Sequence, residues 1–228
     1  MQPLALTAAF FDLDGTLVKS NAVDYYLFLT TQNLSSVKRW WLTAQLVCKA
    51  PYYLALDRLN RDRFNQAFYR NYRGFSTDDC QQWSQILFQE MICPQLRPGA
   101  LACITQHKAQ GRQIVLVTGS LDFIVAPLAE FLGASALTSR LQSNQGHYTG
   151  ELLGASMIGE EKAKAIRRIA SDLSIDLQQS YAYGDSAADL PMLKTVAHPV
   201  AVNPDARVRR VAQDRGWTIE EWKPPQSM

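Results

Sequence analysis

Four apolar residues, Ala8-Ala9-Phe10-Phe11, run directly into Asp12-Leu13-Asp14-Gly15-Thr16. An uninterrupted apolar run of this kind reads as a strand buried on both faces, the mark of a sheet covered by helices. Packing does not explain carboxylates where that strand ends. Side chains at i and i+2 of an extended segment project to the same side, so continued extension would bring Asp12 and Asp14 together. Two carboxylates about 4 Å apart repel by roughly 4 kcal/mol at an effective dielectric near 20. Such a pair calls for a cation or a reaction. The plain alternative is a turn, where Asp and Gly are both favoured.

The rest of the chain changes pattern once. From about residue 21 to residue 94, apolar residues recur at helical spacing, as in Val23, Tyr26, Leu27 and again in Val37, Trp40, Trp41, Ala44. Ser76-Thr77-Asp78-Asp79 has the composition of a helix start, and that helix is expected to reach about Met91. Beyond Pro98-Gly99, helices are expected at 99–109, 121–132, 160–172, near 187–194 and near 205–214. Strands are expected at 113–118, 136–142 with a hairpin turn at 146–150, 180–184, near 197–202 and at 217–219. The alternation predicts an α/β fold, a doubly wound parallel sheet with an inserted all-helical domain. The expected division is a core of residues 1–18 and 96–228 and a helical cap of residues 19–95. The cap would sit over the C-terminal edge of the sheet, where such folds bind ligands.

Composition narrows the class. With 47% hydrophobic and 19% charged residues the chain has no disorder signature, and a formal charge of +2 does not itself imply a nucleic-acid partner. Cys48, Cys80, Cys93 and Cys103 form no CxxC pair and read as free thiols of a reducing compartment. The N-terminus lacks a basic region and Asp12 interrupts it early, so no signal peptide is expected and the location is read as cytoplasmic. Residues 40–56 are apolar enough to raise a membrane span. Gln45, Lys49 and Pro51 interrupt them, so a buried or interfacial pair of helices broken at Pro51 is expected instead. His107, His147 and His198 show no metal spacing.

Four candidate sites fall near ends of elements on one edge. Asp12-x-Asp14-Gly15-Thr16 is the first. Thr118-Gly119-Ser120 follows an apolar strand, where a hydroxyl and free N–H groups hold an anion, unless Ser120 is a plain helix cap. Lys162 lies early in a helix, with Lys164 an alternative on a different face. Gly184-Asp185-Ser186-Ala187-Ala188-Asp189 places one carboxylate at a strand end and a second four residues on.

In this order and spacing the four resemble the haloacid-dehalogenase-like (HAD) phosphatase superfamily, and within it the phosphoserine-phosphatase-like branch. The resemblance covers nearly the whole chain and implies roles residue by residue. Asp12 would be the nucleophile that carries an aspartyl-phosphate, and Asp14 the general acid and base. Asp12, the Asp14 backbone carbonyl and Asp185 would bind Mg²⁺, with Asp189 a ligand or a support. Thr118, the Gly119 N–H and Lys162 would hold the phosphoryl oxygens. Two departures set this chain apart from phosphoserine phosphatases. Asn21 stands where their cap carries a Glu that helps bind the substrate amine, and Ala188 stands where an Asn usually precedes the second Asp.

The expected cap is basic and aromatic. Residues 38–73 hold Lys38, Arg39, Lys49, Arg58, Arg61, Arg63, Arg70 and Arg73 against Asp57 and Asp62, with Trp40, Trp41, Tyr52, Tyr53, Tyr69 and Tyr72 interleaved. A solvated cap face is the plain reading. Recognition of an anionic or lipid-like phosphate ester, with peripheral membrane contact, is the sharper one, and nucleic acid is not expected. The expected activity is a Mg²⁺-dependent phosphomonoesterase of small-molecule or lipid-like substrates. A phosphoserine phosphatase proper, a phosphotransferase and a catalytically weak binding module are the alternatives.

Overall fold

The computed structural model describes residues 6–32, 36–59 and 61–225. β1 (Ala8–Phe11) leads into a helical segment, α1 (Ala22–Gln32), α2 (Ser36–Leu59), α3 (Arg61–Tyr69), α4 (Thr77–Leu87) and α5 (Cys93–Gln95). Then come α6 (Pro98–Ala109), β2 (Gln113–Leu121), α7 (Asp122–Phe131), β3 (Ser135–Ser139), and the hairpin of β4 (Leu141–Asn144) and β5 (His147–Leu152). The chain continues through α8 (Glu160–Leu173), β6 (Tyr181–Gly184), α9 (Leu190–Leu193), β7 (His198–Val202), α10 (Ala206–Arg215) and β8 (Thr218–Glu220). Six strands form one parallel sheet in the order β3-β2-β1-β6-β7-β8.

The four residues of β1 are fully buried because successive side chains enter different cores. Ala9 and Phe11 pack with Ala100 and Ile104 of α6, Phe123 and Leu128 of α7, and the helical segment. Ala8 and Phe10 pack with Ile166 of α8, Met192 of α9 and Val208 of α10. Helices therefore cover both faces of the sheet, as the apolar strand implied. The helix start at Ser76 is also present, its Oγ accepting from the Asp79 N–H at 3.2 Å.

Three details depart from the sequence pattern. Residues 136–142 divide: β3 joins the parallel sheet beside β2, while β4 turns off to pair with β5. Ser120 is not a helix cap, since β2 continues to Leu121 and α7 starts at Asp122. α2 is a single helix that runs unbroken through Pro51, with Tyr53 buried and its other side exposed. Pro51 leaves the Val47 carbonyl without its N–H partner, but both residues are exposed, so water can serve that carbonyl and no break is required. The same helix leaves Trp40 73% and Trp41 60% exposed. Among the described residues no helix is long and apolar enough to cross a membrane. The side chains of Lys38, Arg39, Asp57 and Arg58 from the expected basic face lie outside the described residues.

Candidate active site

β1 is hydrogen-bonded between β2 and β6, and the chain leaves all three strands at one edge. Asp12 follows β1, Thr118, Gly119 and Ser120 lie in the C-terminal part of β2, and Asp185 follows β6. The Asp12 N–H donates to the Tyr183 carbonyl at 2.9 Å, which fixes Asp12 over the seam between β1 and β6.

Asp12 is buried and its Oδ1 accepts from Lys162 Nζ at 2.5 Å. The same ammonium, projecting from the first turn of α8, donates to Asp189 Oδ1 at 2.6 Å. Asp189 Oδ2 accepts from the Ser186 N–H at 3.1 Å and from Ser186 Oγ at 2.8 Å. Burial opposes a charge on Lys162, yet Asp12 and Asp189 outweigh it and hold the ammonium above its usual range. Burial, followed by the charge of Asp189, raises Asp12 well above the ordinary carboxylate range, against the pull of Lys162. Asp185 is pushed up to about 7 by burial and by Asp189, partly countered by Thr16 Oγ1, which donates to its Oδ1 at 3.2 Å.

One carboxylate oxygen from each of Asp12, Asp185 and Asp189 lies within 4.8 Å of the others. A single ammonium faces these three carboxylates, so the set fits a small hard cation such as Mg²⁺, which takes oxygen ligands. Asp189 spends both oxygens on Lys162 and Ser186, which suits a supporting position. The Asp14 side chain is outside this cluster. β1 ends at Phe11, so the extended geometry that would align residues 12 and 14 has already been left. Asp14 instead receives Tyr25 Oη at 2.8 Å on Oδ1, and Ser120 Oγ at 2.6 Å and Thr118 Oγ1 at 3.4 Å on Oδ2. Burial raises its carboxyl, opposed by the Ser120 and Tyr25 hydrogen bonds and the charge of Arg61.

Gly15 lets these groups close up. Its φ is +96°, and a Cβ there would lie 2.3 Å from Asp185 Oδ2. Arg97 clamps the same loop, donating to the Gly15 carbonyl at 3.3 Å and the Trp222 carbonyl at 2.8 Å. Above the loop is a cavity of about 430 Å³. Asp12, Asp14, Gly119, Lys162 and Asp189 form its floor, and α2 and α3 roof it.

All the residues anticipated from the sequence thus meet at one edge, and the two lysines lie in different places. Lys162 is buried in the cluster, whereas Lys164 is exposed and pairs with Glu161 at 2.7 Å. Tyr25, Thr16, Ser186 and Arg97 were not anticipated as site residues. Thr16 and Ser186 lie inside the two carboxylate motifs and were legible as partners. Tyr25 and Arg97 are distant in sequence and carry no local pattern.

Comparison with known proteins shows the family. The chain matches the haloacid dehalogenase-like hydrolase family over residues 9–194. It is similar to a probable phosphatase of Mycobacterium tuberculosis, with 34% identity over 99% of this chain and 79% of that protein. It is also similar to a phosphoserine phosphatase of the same organism, with 32% identity over 97% of this chain and 73% of that protein. A solved structure of a Bordetella pertussis protein of unknown function has the same fold, with a TM-score of 0.80 and 24% identity over 95% of this chain and 99% of that one.

Proposed function

Since the chain belongs to the haloacid dehalogenase-like hydrolase family and is an enzyme of it, we propose that it is a Mg²⁺-dependent phosphomonoesterase working through an aspartyl-phosphate. The observation that carries the reading is the contrast between two carboxylates two residues apart. Asp12 sits against Lys162 and the Asp185–Asp189 cluster, while Asp14 sits in a separate nest of hydroxyls.

In this reading an Asp12 carboxylate oxygen forms a bond to phosphorus as the ester P–O bond breaks. The leaving alkoxide takes the proton of Asp14, whose burial favours the protonated form. Asp14, now ionised, accepts a proton from water as the water oxygen attacks phosphorus and releases the Asp12 carboxylate. Lys162, Thr118 and the Gly119 N–H hold the phosphoryl oxygens and offset their charge. Asp12 and Asp185, with the Asp14 carbonyl and the support of Asp189, would hold Mg²⁺, which when bound neutralises the converging anions. The helical segment of residues 19–95 acts as a cap over these groups.

The exposed outer side of α2 favours a second element of the reading, peripheral contact with an anionic bilayer. Val37, Trp40, Trp41, Val47 and Tyr52 are exposed on a helix that carries no Asp or Glu before residue 57. Residues 38–73 hold eight cations against two carboxylates, so the charge matches such a surface.

The test of the hydrolytic reading is release of phosphate from an aryl phosphate. Release is expected with Mg²⁺, and is expected to be lost in EDTA and in Asp12→Asn. Full activity under either of those two conditions contradicts it.

A further inference from the structure

The cavity over Asp12 has different chemistry at its two ends. The floor is charged, and the roof is formed by Leu46, Ala50, Tyr53 and Leu54 of α2 with Phe64 and Phe68 of α3. Several polar atoms of the upper lining are bonded within the protein. Tyr53 Oη accepts from Asn71 Nδ2 at 2.9 Å, and Tyr69 Oη donates to the Gly119 carbonyl at 2.7 Å. Asn65 Nδ2 donates to Ser156 Oγ at 3.1 Å, and Asn21 Oδ1 accepts from the Val23 N–H at 2.9 Å at the start of α1. Among the described lining residues the carboxylates are Asp12, Asp14 and Asp189, all on the floor. Arg61, at the start of α3, is the cation among the described roof residues that line the cavity.

An amino acid ester bound here would bury an ammonium with no roof carboxylate to receive it, a costly arrangement. An apolar group would lose nothing and would cover aliphatic and aromatic side chains. We infer that the site takes a phosphate monoester whose alcohol carries an apolar body, a ring or short alkyl chain, packed under α2 and α3. The inference rests on the phosphomonoesterase reading for its chemistry. The cavity, at about 430 Å³, has room for both the phosphoryl group and such a body.

The test compares kcat/KM for methyl, butyl, hexyl and benzyl phosphate, O-phospho-L-serine, and a monoacylglycerol phosphate in anionic vesicles. The value is expected to rise by about fourfold per methylene until the cavity is filled. Benzyl phosphate is expected to exceed phosphoserine by about tenfold or more. A flat series, or phosphoserine as the best substrate, overturns the inference. Preference for the vesicle substrate over hexyl and benzyl phosphate identifies the apolar body as lipid, and the reverse identifies a soluble ester. Leu46→Asn, and the more exposed Leu54→Asn, are expected to lower the benzyl-to-phosphoserine ratio, and an unchanged ratio in both contradicts the roof's role. Calorimetry on Asp12→Asn with Mg²⁺ separates this inference from the hydrolytic one. Tighter binding of benzylphosphonate than of the phosphonate analogue of phosphoserine upholds the pocket even if no ester is turned over, and the opposite order overturns it.

Discussion

Asp12 and Asp14 lie two residues apart in surroundings that suit different tasks. Asp12 faces a buried ammonium and two other carboxylates, whereas Asp14 is held by Tyr25 and Ser120. Asp14→Asn is expected to lower kcat by about 10²–10⁴-fold, the usual contribution of a proton-transfer group. Tyr25→Phe removes a hydrogen bond that favours the ionised carboxyl, so the Asp14 pKa rises further and the alkaline limb of the kcat/KM profile, where the general acid has lost its proton, moves to higher pH. A pH profile of that variant with no such shift would place Tyr25 outside the proton transfer. Gly15→Ala forces a Cβ onto Asp185 at a positive φ and is expected to cost about 1–3 kcal/mol and to weaken Mg²⁺ binding, measured by thermal melts with and without Mg²⁺. His107 supplies a pH dependence away from the site. Its Nε2 lies 2.7 Å from Tyr183 Oη, and burial, then the charge of Arg112, pushes the imidazole down to about 4. The unfolded chain binds that proton near pH 6.5 and the folded chain does so only near pH 4, so this stability is present above about pH 6.5 and is lost as pH falls toward 4. Urea midpoints should decline across that window, and His107→Gln should flatten the decline. The carboxylates, glycine and lysine of the site were legible because each ends a strand or starts a helix in a recurring motif. Tyr25 and Arg97 were not, because contacts made across the fold leave no local pattern.

At the scale of the element, the sheet was legible and the helical segment less so. A strand such as Ala8–Phe11, buried on both faces, has to read as apolar throughout, and β2 follows the same rule over most of its length. α2 obeys no such rule, since it is apolar on the side that roofs the cavity and on the side that faces solvent. Its sequence therefore resembled a buried or interfacial pair of helices, and only its position shows the exposed face. The division of residues 136–142 into β3 and β4 was hidden for a similar reason: a short run of mixed polarity does not say which sheet it joins. The outer face of α2 gives a prediction of its own. The protein is expected to co-sediment with anionic liposomes at low salt and to be released by high salt, and Trp40→Ala with Trp41→Ala is expected to abolish that binding. No binding at low salt rules the contact out.

In the whole molecule, strand ends that meet at the edge of the sheet supply the charged groups, and the helices inserted after β1 supply the roof. On the proposed reading, reaction and selectivity reside in separate parts of the chain, so changes in the roof should alter which ester is used while changes on the floor should alter whether any is used. Everything in this division depends on Asp12 being the group that takes the phosphoryl. Mass spectrometry of protein quenched in acid during turnover of an aryl phosphate measures that directly. One phosphoryl group on the peptide containing Asp12 is expected, accumulating further in Asp14→Asn and absent in Asp12→Asn. Steady turnover with no phosphorylated peptide in either the native protein or Asp14→Asn, or a phosphoryl group found on another residue, would contradict the account.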